Sequence, residues 1–80
     1  MIVSAQLSVY PLRQESLTPG IRIVNDALVD AGLSPEVGPM STVTVGEADL
    51  VFAALRDGFT RAATQGHLVM TVTISNACPV

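Results

Sequence analysis

Apolar and polar positions alternate along residues 2 to 10, with Val3, Ala5, Leu7 and Val9 on one side and Ser4, Gln6, Ser8 and Tyr10 on the other. Period two over this length is the signature of a half-buried strand, and Pro11 closes it. From Thr18 the period lengthens. Thr18 suits the N-cap of a helix and Pro19 its first position, where a missing N–H costs nothing. Ile21, Val24, Ala27, Leu28 and Ala31 then recur at three- and four-residue spacing, with Arg22, Asn25, Asp26 and Asp30 opposite them, so the helix is amphipathic. Gly32 supplies the left-handed position that ends it.

Residues 35 to 45 read as two short strands, the first through Val37 and the second through Val43 and Val45, joined near Met40 and Ser41. Gly38 and Pro39 belong on an edge or at a bulge, because proline cannot donate to a ladder. A second helix is predicted from about Glu47 or Ala48, where a carboxylate favours the positive end of the helix dipole. Its expected buried stripe is Ala48, Phe52, Leu55, Phe59 and Ala62; Gly58 lowers helix propensity without breaking the pattern. Gly66 is the next stop. Beyond His67, Leu68, Met70, Val72 and Ile74 alternate with Val69, Thr71, Thr73 and Ser75 in a last strand.

Strand, helix, strand, strand, helix, strand with right-handed crossovers gives an α+β, ferredoxin-like βαββαβ sandwich over residues 1–80: one domain, a four-stranded antiparallel sheet with both helices on one face. If the helices cover the valine and leucine side, the open side holds Ser4, Gln6, Ser8, Tyr10, Thr42, Thr44, Thr71 and Thr73, with Glu36 and Met40 beside them. Water-facing sheets commonly carry lysine and glutamate. Small hydroxyls, an amide and a tyrosine are instead groups that can be dehydrated at modest cost when each finds a hydrogen bond. Threonine's β propensity alone would also enrich it on a solvated sheet. The open face is therefore expected to be covered by a second subunit, a ligand, or both.

Composition sharpens this picture. Of 80 residues, 49% are hydrophobic and only 14% charged, against about 25% charged in typical soluble domains, which again points to surface hidden by self-association. Lysine is absent, four arginines face seven acidic residues, and the net charge is −3; nucleic acid, whose binding rests on phosphate neutralisation, is an unlikely partner. No segment has the length and apolarity of a membrane span, and the first residues lack the pattern of a signal peptide, so the cytoplasm is the expected location. Cys78 is the only cysteine, which excludes an internal disulfide and a cysteine-cluster metal site.

Residues 5–12 (Ala-Gln-Leu-Ser-Val-Tyr-Pro-Leu), 31–33 (Ala-Gly-Leu), 36–42 (Glu-Val-Gly-Pro-Met-Ser-Thr) and 46–47 (Gly-Glu) together resemble the small thiamine-binding protein family over nearly the whole chain. The resemblance implies a ferredoxin-like subunit that assembles into a homodimer or homotetramer and binds thiamine or its hydroxymethylpyrimidine portion without performing chemistry. Thiamine has a cationic thiazolium and a neutral aminopyrimidine, so its pocket needs hydroxyls, an apolar or aromatic wall and a carboxylate. Ser8, Tyr10, Met40, Ser41, Thr42, Thr44 and Glu36 or Glu47 could supply these: Ser41 and Thr42 to the pyrimidine, Met40 and Tyr10 as a wall, a glutamate for the charge. Each also has a plainer reading, Glu47 as a helix-dipole partner, Met40 as filler, Tyr10 at a subunit interface.

Other functions on this topology fit less well. Arg13 lies in the first strand-to-helix loop, where an acylphosphatase would want a phosphate-binding arginine, but the accompanying glycine and arginine pattern is missing. A metal chaperone would need soft ligands between Pro11 and Thr18, and there are none; an RNA-binding sheet would need more aromatics than Tyr10. His67, the single histidine, has no partner assigned by any motif, so no general base is expected. The serious rival is a regulatory or scaffolding module of the amino-acid-sensing type, with its ligand at a subunit interface.

Overall fold

The computed structural model describes residues 1–12 and 18–77; Arg13 and Cys78 lie outside them. The first strand, β1 (Ile2–Pro11), runs through the centre, α1 (Thr18–Asp30) crosses to β2 (Glu36–Val37), β3 (Thr42–Glu47) returns beside β1, and α2 (Ala48–Ala63) crosses to β4 (Leu68–Ser75). The sheet order is β2-β3-β1-β4, every pairing is antiparallel, and the fold is the ferredoxin-like α+β sandwich that the periodicities predict.

Each boundary has a local cause. At the end of α1, Gly32 takes a φ of 90°, which lets the Leu33 N–H donate to the Leu28 carbonyl at 3.0 Å and the Gly32 N–H to Val29 at 2.9 Å; this closes the helix in a Schellman-type turn and folds Leu33 into the core. Thr18 opens α1; its side chain lies outside the described residues. Glu47 stands at the N-cap of α2 but makes no side-chain cap. Its two carboxylate oxygens instead accept from the Met1 ammonium, each at 3.1 Å.

The core joins Val3, Ala5 and Leu7 of β1 to Val24 and Leu28 of α1 and to Val51, Ala54, Leu55 and Ala62 of α2. Here one expectation fails. Phe52 and Phe59 are not part of the buried stripe: they are 56% and 42% exposed, and the stripe is Val51, Ala54, Leu55, Gly58 and Ala62. Small residues decide the rotation, because they let the two helices approach closely. A Cβ on Gly58 would stand 3.3 Å from the Val24 Cα, so the glycine that weakens α2 is also what lets it lie against α1.

A second expectation fails on β3. Residues opposite one another in an antiparallel pair share a face, and the register pairs Val3 with Gly46, Ala5 with Thr44 and Leu7 with Thr42. Thr42 and Thr44 therefore lie beneath the helices, both buried, while Val43 and Val45 share the open face with Gln6 and Ser4. Space explains the reversal: a Cβ on Gly46 would meet the Leu33 side chain at 2.5 Å and Val51 at 3.4 Å. Glycine fits at position 46, and strand alternation then carries Thr44 and Thr42 to the same inward face and turns Val43 and Val45 outward.

Candidate functional site

Two surfaces result from this arrangement. The open face carries Gln6, Thr71 and Thr73, exposed as expected, and Ser4, which is buried; Val43, Val45, Ile2, Tyr10 and Val69 join them and are exposed. Glu36 sits opposite Val43 on the same face. This face is more apolar than the alternation suggested, and among the described residues it presents no arginine.

The second surface is a cleft at the end of the sheet. The pairing of β3 with β1 stops at Leu7 and Thr42, while β1 continues alongside β4 to Pro11. The notch left beside residues 8–11 is bounded by α1 on the helix side and by the β2–β3 turn, residues 38–41, on the other. Two side chains of β1 hold that turn: Ser8 Oγ donates to the Met40 carbonyl and Gln6 Nε2 to Ser41 Oγ, each at 3.1 Å, and the Gly38 N–H closes it on the Ser41 carbonyl at 2.8 Å. The resulting cleft measures about 220 Å³. Ile21, Val24 and Leu28 of α1 with Leu7 and Val9 make its apolar wall; Ser8, Ser41 and Thr42 place hydroxyls along it. Among the described residues, none that lines it is a carboxylate, an arginine or a histidine.

Five of the eight residues singled out from the sequence meet here: Ser8, Tyr10, Met40, Ser41 and Thr42 all line the cleft, Met40 at its rim with 82% exposure. Three do not. Thr44 is buried on the helix-covered side, further along β3; Glu36 is on the open face; and Glu47 closes on the amino terminus at the far end of β3. No glutamate is thus available inside the cleft to meet a cation.

One lining residue was placed on the wrong side by periodicity. Asn25, assigned to the water-facing side of α1, is half-buried and lines the cleft, and its Oδ1 is buried without a hydrogen-bond partner. It follows Ile21 by four positions and precedes Leu28 by three, so it borders the apolar stripe; that spacing was the signal available. Among the described residues the other buried side-chain oxygen without a partner, Thr44 Oγ1, does not line the cleft. His67 is exposed, and its carbonyl accepts from the Leu12 N–H at 2.8 Å. Among the described residues no cluster of histidine, cysteine, aspartate or glutamate could hold a metal ion, and no helix is long and apolar enough to cross a membrane.

Solved structures share this architecture. A hypothetical protein from Methanocaldococcus jannascii superposes with a TM-score of 0.87 at 20% identity, over 99% of this chain and 84% of its own. A Streptococcus pneumoniae protein gives 0.85 at 27% identity, over 94% and 86%. A Thermotoga maritima protein, provisionally described as a thiamine biosynthesis/salvage protein, gives 0.82 at 19% identity, over 94% and 83%. No curated protein matches the chain. At these identities most of the likeness speaks for the fold alone, but the sequence itself matches the model of the YKOF-related family across residues 2–80, from the first strand through the last. The chain belongs to the YKOF-related family.

Proposed function

We propose that this protein is a non-catalytic binding protein that holds the neutral aminopyrimidine portion of thiamine, its hydroxymethylpyrimidine, in the cleft between α1 and the β2–β3 turn. The observation that carries this reading is the character of the cleft: about 220 Å³, apolar walls, hydroxyls from Ser8, Ser41 and Thr42, and no charged lining group among the described residues. Pockets for drug-sized ligands run to roughly 300–1,000 Å³, so this one suits a single substituted ring better than two linked rings. A thiazolium cation would find no carboxylate to offset its desolvation, which favours the pyrimidine over intact thiamine. The family resemblance of the Pro-Met-Ser-Thr turn and the name of the Thermotoga maritima neighbour point the same way.

We further propose that the working unit is a homodimer or homotetramer joined through the open face. Val43, Val45, Ile2, Tyr10 and Val69 are exposed there, the valines by 39–53%, so covering each valine contributes about half of the roughly 1.5–3 kcal/mol for full burial. The amino-acid-sensing alternative needs a cation or helix start for the ligand carboxylate, and no arginine lines the cleft among the described residues.

Calorimetry with hydroxymethylpyrimidine, thiamine and an amino-acid panel tests this. Hydroxymethylpyrimidine should bind, thiamine more weakly, amino acids not at all. Replacing Ser41 and Thr42 together by alanine should weaken binding by about tenfold or more, given roughly 0.5–1.5 kcal/mol per neutral hydrogen bond. Unchanged affinity in a folded double variant would refute the assignment.

A further inference from the structure

The cleft is apolar except at a few points, and among its described lining groups one alone is a buried side-chain oxygen without a hydrogen-bond partner. Ser8 and Ser41 are already engaged in holding the β2–β3 turn. Asn25 is not. Its side chain projects from α1 among Ile21, Val24 and Leu28, all of which line the cleft, and its Oδ1 is withdrawn from solvent with no donor beside it. A buried carbonyl oxygen in that condition is destabilising to the unliganded protein and is rare in native structures unless something else satisfies it.

We infer that Asn25 is the residue that selects the ligand: its Oδ1 accepts a hydrogen bond from an N–H or O–H of the bound molecule, so the cleft takes neutral molecules that present a donor toward α1 and rejects isosteres that do not. The inference rests on the reading of the cleft as a binding site and adds to it the group that discriminates. An apolar pocket distinguishes poorly between molecules of equal shape, whereas a site built to pair a buried polar atom rejects the analogue that leaves it unpaired. The carboxamide also carries no charge, in keeping with a cleft whose described lining has none.

The test compares two probes of nearly equal size, 4-amino-2-methylpyrimidine and 2,4-dimethylpyrimidine, in which a methyl replaces the amino donor. Binding to the wild-type protein and to Asn25→Leu and Asn25→Ala is measured by calorimetry, and each unliganded protein is also melted. The wild type should prefer the amino probe by at least about tenfold, and both variants should bind the two probes within about twofold of each other. The melting temperature of unliganded Asn25→Leu should match or exceed that of the wild type, since the substitution removes an unpaired oxygen. Equal binding of the two probes by the wild type, or a preference that survives in both variants, overturns the selection role. A lowered melting temperature for both variants gives the oxygen a structural partner and overturns it as well. If the wild type binds neither probe, the aminopyrimidine reading of the cleft falls; the melting comparison then decides separately whether Asn25 Oδ1 is unpaired.

Discussion

Thr44 offers the most direct measurement of what the reversed strand costs. Its side chain is only 1% exposed, it lies opposite Ala5 beneath the helices, and its Oγ1 has no hydrogen-bond partner. A buried polar group without a partner costs about 1–3 kcal/mol of desolvation. Thr44→Val keeps the branched shape and replaces that hydroxyl with a methyl, so the variant should be more stable by about 1 kcal/mol or somewhat more. For a domain of this size that is a rise in melting temperature of roughly 4–8 °C, or in the urea midpoint of about 1 M if the slope is near 1 kcal/mol/M. Both should be measured at fixed protein concentration, because association of the native state raises apparent stability. Ligand affinity should not change, since Thr44 is outside the cleft. A variant destabilised by 1 kcal/mol or more would mean that the hydroxyl is satisfied, and that β3 bears no cost for turning its threonines inward.

Other substitutions probe the open face, the glycine on β3 and the rotation of α2. Val45→Lys places a charge on the open face at a position 53% exposed in the single subunit; it should leave the circular dichroism unchanged and yield monomers by sedimentation, and a wild type that is itself monomeric at high concentration would end the assembly proposal. Gly46→Ala drives a methyl into the Leu33 side chain and should cost about 1–3 kcal/mol by overpacking, read from the urea midpoint. The two sides of α2 should respond oppositely: Leu55→Ala, in the core, should cost about 2–5 kcal/mol, while Phe52→Ser on the outward side should stay within about 0.5 kcal/mol in the same denaturation assay, provided no partner covers it.

The element order and the path of β1, α1 and β4 were legible in the sequence because each carries a full amphipathic repeat bounded by proline or glycine. The two failures share a cause. Hydrophobicity assigned Phe52 and Phe59 to the core of α2 and Val43 and Val45 to the core side of β3, and in both places a glycine at a close approach fixes which residues turn inward: Gly58 in the stripe with Val51, Ala54, Leu55 and Ala62 on the helix, Gly46 in the row with Thr42 and Thr44 on the strand. Which residues face inward there depends on how closely α1, α2 and β3 approach, a distance that Gly46 and Gly58 report once the neighbours are known. In the candidate site, the turn residues Met40, Ser41 and Thr42 were legible from their chemistry. Glu36 and Glu47 were not separable from them by sequence, because the notch that defines the cleft arises from unequal strand lengths. Asn25 was missed because one helical position decides whether a border residue meets water or a cavity.

The reversal of β3 also ties the two surfaces together. Gln6 and Ser8 lie on the open side of β1, yet they are the residues that fasten the β2–β3 turn, through Ser41 and the Met40 carbonyl. In water such exposed hydrogen bonds contribute little, because solvent competes for both partners. Laying another subunit over Val43, Val45 and their neighbours would remove that competition at Gln6, where the local dielectric falls and the bond to Ser41 strengthens. The turn that rims the cleft would then be held more firmly, and a rim fixed before the ligand arrives lowers the ordering cost of binding. The outward valines and the inward threonines thus place two features side by side: β3 gives up apolar burial inside the subunit, leaves apolar surface on the open face, and sets beside it the polar contacts on which the shape of the cleft depends.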